Sequence, residues 1–180
     1  MKDISLGLCF MITLTFVGCR PSQTSHLNEV GESISECVRL FLEETDQDPN
    51  QVMILTDGEY GSLDSFRTLY TGPILEDGIQ VKTPLQEFPA LRDHFHFGNY
   101  ADHNPERVKQ FHSTLELPII LMNPTRDAMV IHFSCICIQG DCGFESVFEF
   151  SRVEGKWTIA QEFPMGIAAT PDPRHLAISS

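Results

Sequence analysis

The sequence is short of positive charge. Twelve Lys and Arg stand against 25 Asp and Glu, a formal net charge of −13. A chain this acidic is repelled by phosphate backbones and anionic lipid surfaces unless its cations gather in one place. Along the sequence they are scattered, so no nucleic-acid partner is expected. The chain also lacks an uninterrupted apolar run of the ~20 residues that a membrane-spanning helix needs. It has no Gly-x-Ser-x-Gly elbow, no phosphate-cradling Gly loop and no dinucleotide fingerprint. These absences lean against an enzyme without excluding one, because catalytic groups can converge from distant positions. No cofactor is implied.

What is present is a globular composition. The 180 residues are 42% hydrophobic and 21% charged, enough for one domain with a single core. Ten carboxylates fall between Asn28 and Asp64, with only Arg39 opposite them. Such a run most simply makes a solvated helix face.

Ile4 to Phe16 is an apolar stretch of signal-peptide length, and it ends in Phe16-Val17-Gly18-Cys19. That tetrapeptide resembles the bacterial lipobox, with Phe16 in place of the usual Leu and Asp3 weakening the positive start. The resemblance implies cleavage before Cys19 and attachment of diacylglycerol to its thiol, with palmitate among the acyl groups of the anchor. The expected organisation is a signal peptide over 1–18, a lipidated tether over 19–27, one α+β domain over 28–164 and a loosely ordered tail over 165–180. The implied location is the cell envelope, anchored to a membrane on its extracytoplasmic side, with a secreted or periplasmic form as the alternative.

Val30, Ile34, Cys37, Val38, Phe41 and Leu42 recur at helical spacing and predict a helix over 28–45. Ser62 is placed to cap a second, short helix carrying Leu63, Phe66, Leu69 and Tyr70. Residues 73–82 read as a strand, and 84–100 fit helix or loop. Asn104-Pro105 opens a helix expected to run to Thr114. Leu117–Met122 is then a strand, followed by Ala128–Ile138, Cys142–Arg152 and Lys156–Phe163, joined at Gln139-Gly140-Asp141 and Glu154-Gly155.

Pairing Phe150 with Ile159 and Arg152 with Trp157 at the second turn, and Cys137 with Cys142 and Cys135 with Phe144 at the first, gives one apolar face. It carries Met129, Ile131, Phe133, Cys135, Phe144, Phe148, Phe150, Trp157, Ile159 and Phe163, while Glu145, Glu149, Thr158 and Glu162 point away. The fold class is therefore α+β: N-terminal helices packed on a curved antiparallel sheet that ends in a three-stranded meander. This order, with the closing hairpin from Phe148 through Trp157, resembles nuclear-transport-factor-2-like domains and their cystatin-like cone of curved sheet. That family includes enzymes and non-catalytic binding modules, so the resemblance implies a fold and no activity.

Four cysteines remain beyond Cys19. Cys137 and Cys142 face each other across the first turn and form the preferred disulfide; Cys37 and Cys135 are candidates for a second, joining helix to sheet. A metal site from His132 and the Cys135–Cys142 cluster is disfavoured, because strand alternation turns His132 to the other face.

In a strand, His94 and His96 share a face and could hold a metal with His103 or His112 as a third imidazole. The string His94-Phe95-His96-Phe97 resembles the zinc strand of α-carbonic anhydrases. Phe97 stands where that family has Trp, and the chain is too short for the fold. The span Asp46 to Asp57 resembles a calcium loop, yet Gln51 replaces the required Gly and Val52–Leu55 is too apolar. No calcium site is expected.

The reading that results is a non-enzymatic, exported domain binding a protein or small ligand. The alternatives are an extracytoplasmic metal or redox protein using His94 and His96 or the Cys135–Cys142 cluster, and a small pocket enzyme.

Overall fold

The computed structural model describes residues 23–56, 61–99, 110–138 and 143–166. Helix α1 runs from Gln23 to Glu44, so it begins five residues before the expected start and takes up most of the expected tether. Its apolar stripe is fully used: Ile34, Cys37, Val38, Phe41 and Leu42 are each 0% exposed. None of the described helices is long and apolar enough to cross a membrane.

The stripe lies on a seven-stranded sheet built from β1 (Val52–Leu55), β2 (Ile79–Gln80), β3 (His96–Gly98), β4 (Ser113–Met122), β5 (Ala128–Cys137), β6 (Gly143–Val153) and β7 (Lys156–Gly166). Strands β4 to β7 form an antiparallel meander, with β1 and β3 continuing the sheet beyond β4. The short helices α2 (Leu63–Phe66), α3 (Ile74–Asp77) and α4 (Pro89–His94) fill the connections.

The meander has the expected register: Cys135 faces Phe144, Phe150 faces Ile159 and Arg152 faces Trp157. The tight turn at Glu154-Gly155 has positive φ at both residues, 52° and 83°, as a two-residue hairpin turn requires. On the α1 side, Met129, Ile131, Phe133, Cys135, Phe148, Phe150 and Trp157 are buried together. Phe41 stacks on Phe133 with centroids 3.8 Å apart, and both rings meet Phe148 edge-on. Helix α4 covers the same face with Leu91, flanked by Phe88 and Phe95. It approaches α1 closely at Gly31, where a Cβ would stand 3.0 Å from the Phe88 Cβ.

Several expectations are corrected. The sheet is mixed, because β1 runs parallel to both β3 and β4. All four residues of β1 are buried, so it reads as a continuous apolar run without alternation. The region 73–82 is a helical turn followed by a two-residue strand. Residues 104–109 lie outside the described segments, but Ser113 and Thr114 already belong to β4, so no helix reaches Thr114.

A bulge also changes one strand. The partner of Phe150 is Ile159 while that of Glu149 is Gln161, which leaves Ala160 unpaired in β7. One extra residue inverts the alternation beyond it. Phe163 therefore stands opposite Val147 on the far face, and Glu162 stands opposite Phe148, accepting a bond from Ser146 Oγ at 3.1 Å.

The far face is not left to solvent. Phe66, Tyr70 and Ile74, from α2, α3 and the segment between them, bury Ile119, Leu121, Val130 and Val147 beneath them. Ser62 caps α2 as expected, accepting from the Asp64 N–H at 3.3 Å. The sheet is thus covered on both sides over its central strands.

Cys37 and Cys135 are free, buried thiols, so the second expected disulfide is not formed. Cys37 points into the α1 core, while Cys135 meets Gln47, whose Nε2 lies 3.4 Å from its sulfur. Cys137 is disulfide-bonded, and Cys142 lies outside the described residues. The described pairs Cys135–Phe144 and Ile136–Gly143 belong to the register from which the sequence predicts a Cys137–Cys142 bond. Non-reducing peptide mapping is expected to recover Cys137 joined to Cys142, and reduction to cost roughly 2 kcal/mol for so short a ring. Recovery of Cys137 joined to any other cysteine would overturn the pairing.

Candidate functional site

The sequence-predicted ligand residues do not assemble. His94 is the last residue of α4 and His96 the first of β3, so the two-residue strand period that would align them does not apply. Both are exposed, and the His96 ring lies against Phe111 at 5.2 Å. His103 and Cys19 fall outside the described segments. Among the described residues no three His, Cys, Asp or Glu side chains group as a metal site would need.

The Asp46–Asp57 stretch folds as a helix end, a 3-10 turn at Pro49–Gln51 capped by Asp48, and the buried strand β1; Asp57 is outside the description. Burial pushes the Cys37 thiol well up, with the neighbouring Glu36 charge adding to it. Burial also raises Cys135, against bonds from Gln47 and Ser113. Thiols held protonated are poor nucleophiles and poor metal ligands.

The structure instead opens a cleft of about 280 Å3 that no string in the sequence marks. It lies where the first turns of α1, strand β2 with the residues after it, and the β4–β5 turn come together. Its size falls just short of the ~300 Å3 at which small-molecule clefts begin. Val30, Phe88 and Met122 are its buried apolar residues. Exposed Lys82 and half-buried Arg126 bring two cationic groups to it, and exposed His26 an imidazole.

Each wall has a local cause. Gly78 ends α3, and β2 then pairs Ile79 with Met122 and Gln80 with Leu121. The Val81 N–H continues the ladder to the Ile120 carbonyl at 2.9 Å, which delivers Lys82 and Thr83 to the cleft. At the β4–β5 turn Asn123 is the organiser. Its Oδ1 accepts from the backbone N–H groups of Asp127 and Ala128, and its Nδ2 donates to Asp127 Oδ1 at 2.6 Å.

Bonds from Asn123 and Thr125 hold the Asp127 carboxyl below its usual range. The turn places Arg126 in the left-handed region, φ 59°, a conformation that costs a non-glycine residue of order 1 kcal/mol. Its guanidinium is fixed to α1 by Glu29 Oε2 at 2.9 Å.

A second feature sits on the opposite sheet face. His132 is 9% exposed on β5, its ring against Phe66, and its Nε2 has no hydrogen-bond partner among the described residues. Burial lowers its pKa, with Glu145 pulling the other way. A neutral buried imidazole contributes stability that is complete above the unfolded value of ~6.5 and is lost as pH falls below it. Urea unfolding of the native chain is therefore expected to weaken between pH 7.5 and 5.5, and His132→Phe to weaken less. Equal pH slopes for the two proteins would contradict this account of His132.

No family model, no curated protein sequence and no solved structure matches the chain.

Proposed function

We propose that this is an exported, lipid-anchored binding domain whose ligand seats in the cleft at the start of α1. The cleft carries the reading. It combines apolar depth with a few polar groups drawn from separate elements, the usual makeup of a site for a small ligand.

The lipobox-like Phe16-Val17-Gly18-Cys19 supports an anchor on Cys19. Only Arg20, Pro21 and Ser22 separate Cys19 from α1, a reach of about 10 Å when extended. An anchored chain would hold the cleft close to the membrane surface. The helix laid on one face of a meander supports the resemblance to nuclear-transport-factor-2-like domains. The parallel β1–β3 pair and the cover on the second face are features that resemblance does not imply.

Two measurements test the reading. Cys19→Ala is expected to leave an unprocessed or soluble species, whereas wild type partitions into detergent; partitioning of the mutant like wild type would refute the anchor. Thr83→Trp puts a large ring into the cleft from a half-buried position. It is expected to abolish binding of an apolar fluorescent probe while the fold survives by circular dichroism. Undiminished probe binding would place the ligand elsewhere.

A further inference from the structure

The cleft has the opposite charge to the chain that forms it. None of its thirteen lining residues is Asp or Glu, although carboxylates outnumber Lys and Arg by 25 to 12 in the sequence. The two cations come from positions far apart in the chain, Lys82 after β2 and Arg126 at the β4–β5 turn, and the His26 imidazole on α1 lines the cleft with them. Glu29 does not line the cleft and is engaged with Arg126 Nη1 at 2.9 Å. Arg126 has five N–H donors, so this bond leaves it able to bind an anion. Asp127, next in the chain, is turned to Asn123 and Thr125.

Polarity is also graded. Val30 is 6% exposed, Met122 5% and Phe88 0%, whereas His26 and Lys82 are exposed to water. An occupant that uses both kinds of lining group is apolar in one part and negatively charged in another. A neutral apolar molecule would leave the cations unmatched. A free phosphate or acetate would leave the apolar depth unfilled.

We propose that the cleft takes a small single-chain amphipathic anion, an alkyl or aryl chain ending in a carboxylate. The chain lies against Val30, Phe88 and Met122, and the carboxylate meets Lys82 and Arg126. This rests on the reading of the cleft as the ligand site and adds the chemistry of its ligand.

The test is calorimetric titration of the full-length chain with octanoate, octan-1-ol and acetate, repeated on Lys82→Glu and Thr83→Trp. Octanoate is expected to bind, with octan-1-ol at least tenfold weaker and acetate silent. A charge-assisted contact contributes about a 10- to 100-fold difference in affinity. Lys82→Glu, at an exposed position, is expected to weaken octanoate by that factor and to leave octan-1-ol unchanged. Thr83→Trp is expected to remove both.

Equal binding of octanoate and octan-1-ol would overturn the anion proposal while leaving the ligand-cleft reading standing. Binding of neither would overturn both. Octanoate binding that survives Thr83→Trp, or that ignores Lys82→Glu, would likewise overturn the proposal.

Discussion

Trp157→Ala is expected to lower the stability of this domain by ~3–5 kcal/mol, the cost of removing a buried Trp from a packed core. At this chain length that corresponds to a fall of roughly 10 °C in Tm. Trp157 is 3% exposed at the start of β7 and belongs to the cluster that α1 closes. Its backbone N–H reaches Glu36 Oε1 on α1 at 3.4 Å, so the same residue ties the last strand to the first helix. Little could move in to fill the space, because Phe133, Phe148 and Phe150 already pack against one another. Trp157→Phe keeps a ring there and is expected to cost less than half as much. Thermal melts of the three proteins decide the matter, and an unchanged Tm for Trp157→Ala would mean that the face of β7 is assigned backwards.

That face was legible because it is local. From Ala128 to Ile159 the chain alternates through two short turns, so the inward set follows from period two and from the Glu154-Gly155 pair. Helix α1 was legible for the same kind of reason, since its stripe repeats within one segment. The bulge at Ala160 carries no sequence signal of comparable strength, and one unpaired residue was enough to send Phe163 to the other face. Strand β1 was hidden by its own burial. Val52-Met53-Ile54-Leu55 has no alternation to read, and its parallel partners lie more than 40 residues away.

The cleft could not be found along the chain because its parts meet only in three dimensions. By sequence His26 falls in the expected tether, Lys82 at the end of an expected strand and Arg126 between two expected strands. Nothing in those local environments links them. The scattered cations were taken to exclude a basic patch, yet scattering in sequence sets no limit on convergence in space. The string Asn123-Pro124-Thr125-Arg126-Asp127 does carry one clue. An Asn followed by Thr and Asp is the composition of a side-chain-bonded turn, and such a turn holds its exposed residue, here Arg126, in a fixed direction.

The second covered face leads to the other large effect, at Tyr70. An open meander would leave Glu149 in water and Tyr70 as a surface ring; instead Tyr70 is 1% exposed and donates its hydroxyl to Glu149 Oε2 at 3.0 Å. Its ring meets Phe66 and stands edge-on to Phe163, the residue the bulge delivered there. Gly72 gives it room, since any Cβ at that position would collide with the phenol.

Tyr70→Ala should therefore cost ~3–5 kcal/mol, as for other buried aromatic truncations. Tyr70→Phe keeps the packing and loses one bond to a half-buried carboxylate, a cost of about 1.5 kcal/mol. Burial, with the Glu149 charge and hydrogen bond, raises the Tyr70 ionisation above its ordinary value. The native state thus holds the phenolic proton more tightly than the unfolded chain does. Its contribution is complete below ~10 and is lost as pH rises past that value. In urea titrations at pH 8 and pH 10.5, wild type should lose more stability between the two than Tyr70→Phe does. A Tyr70→Ala protein as stable as wild type would show that α2 and α3 lie on the sheet without stabilising it.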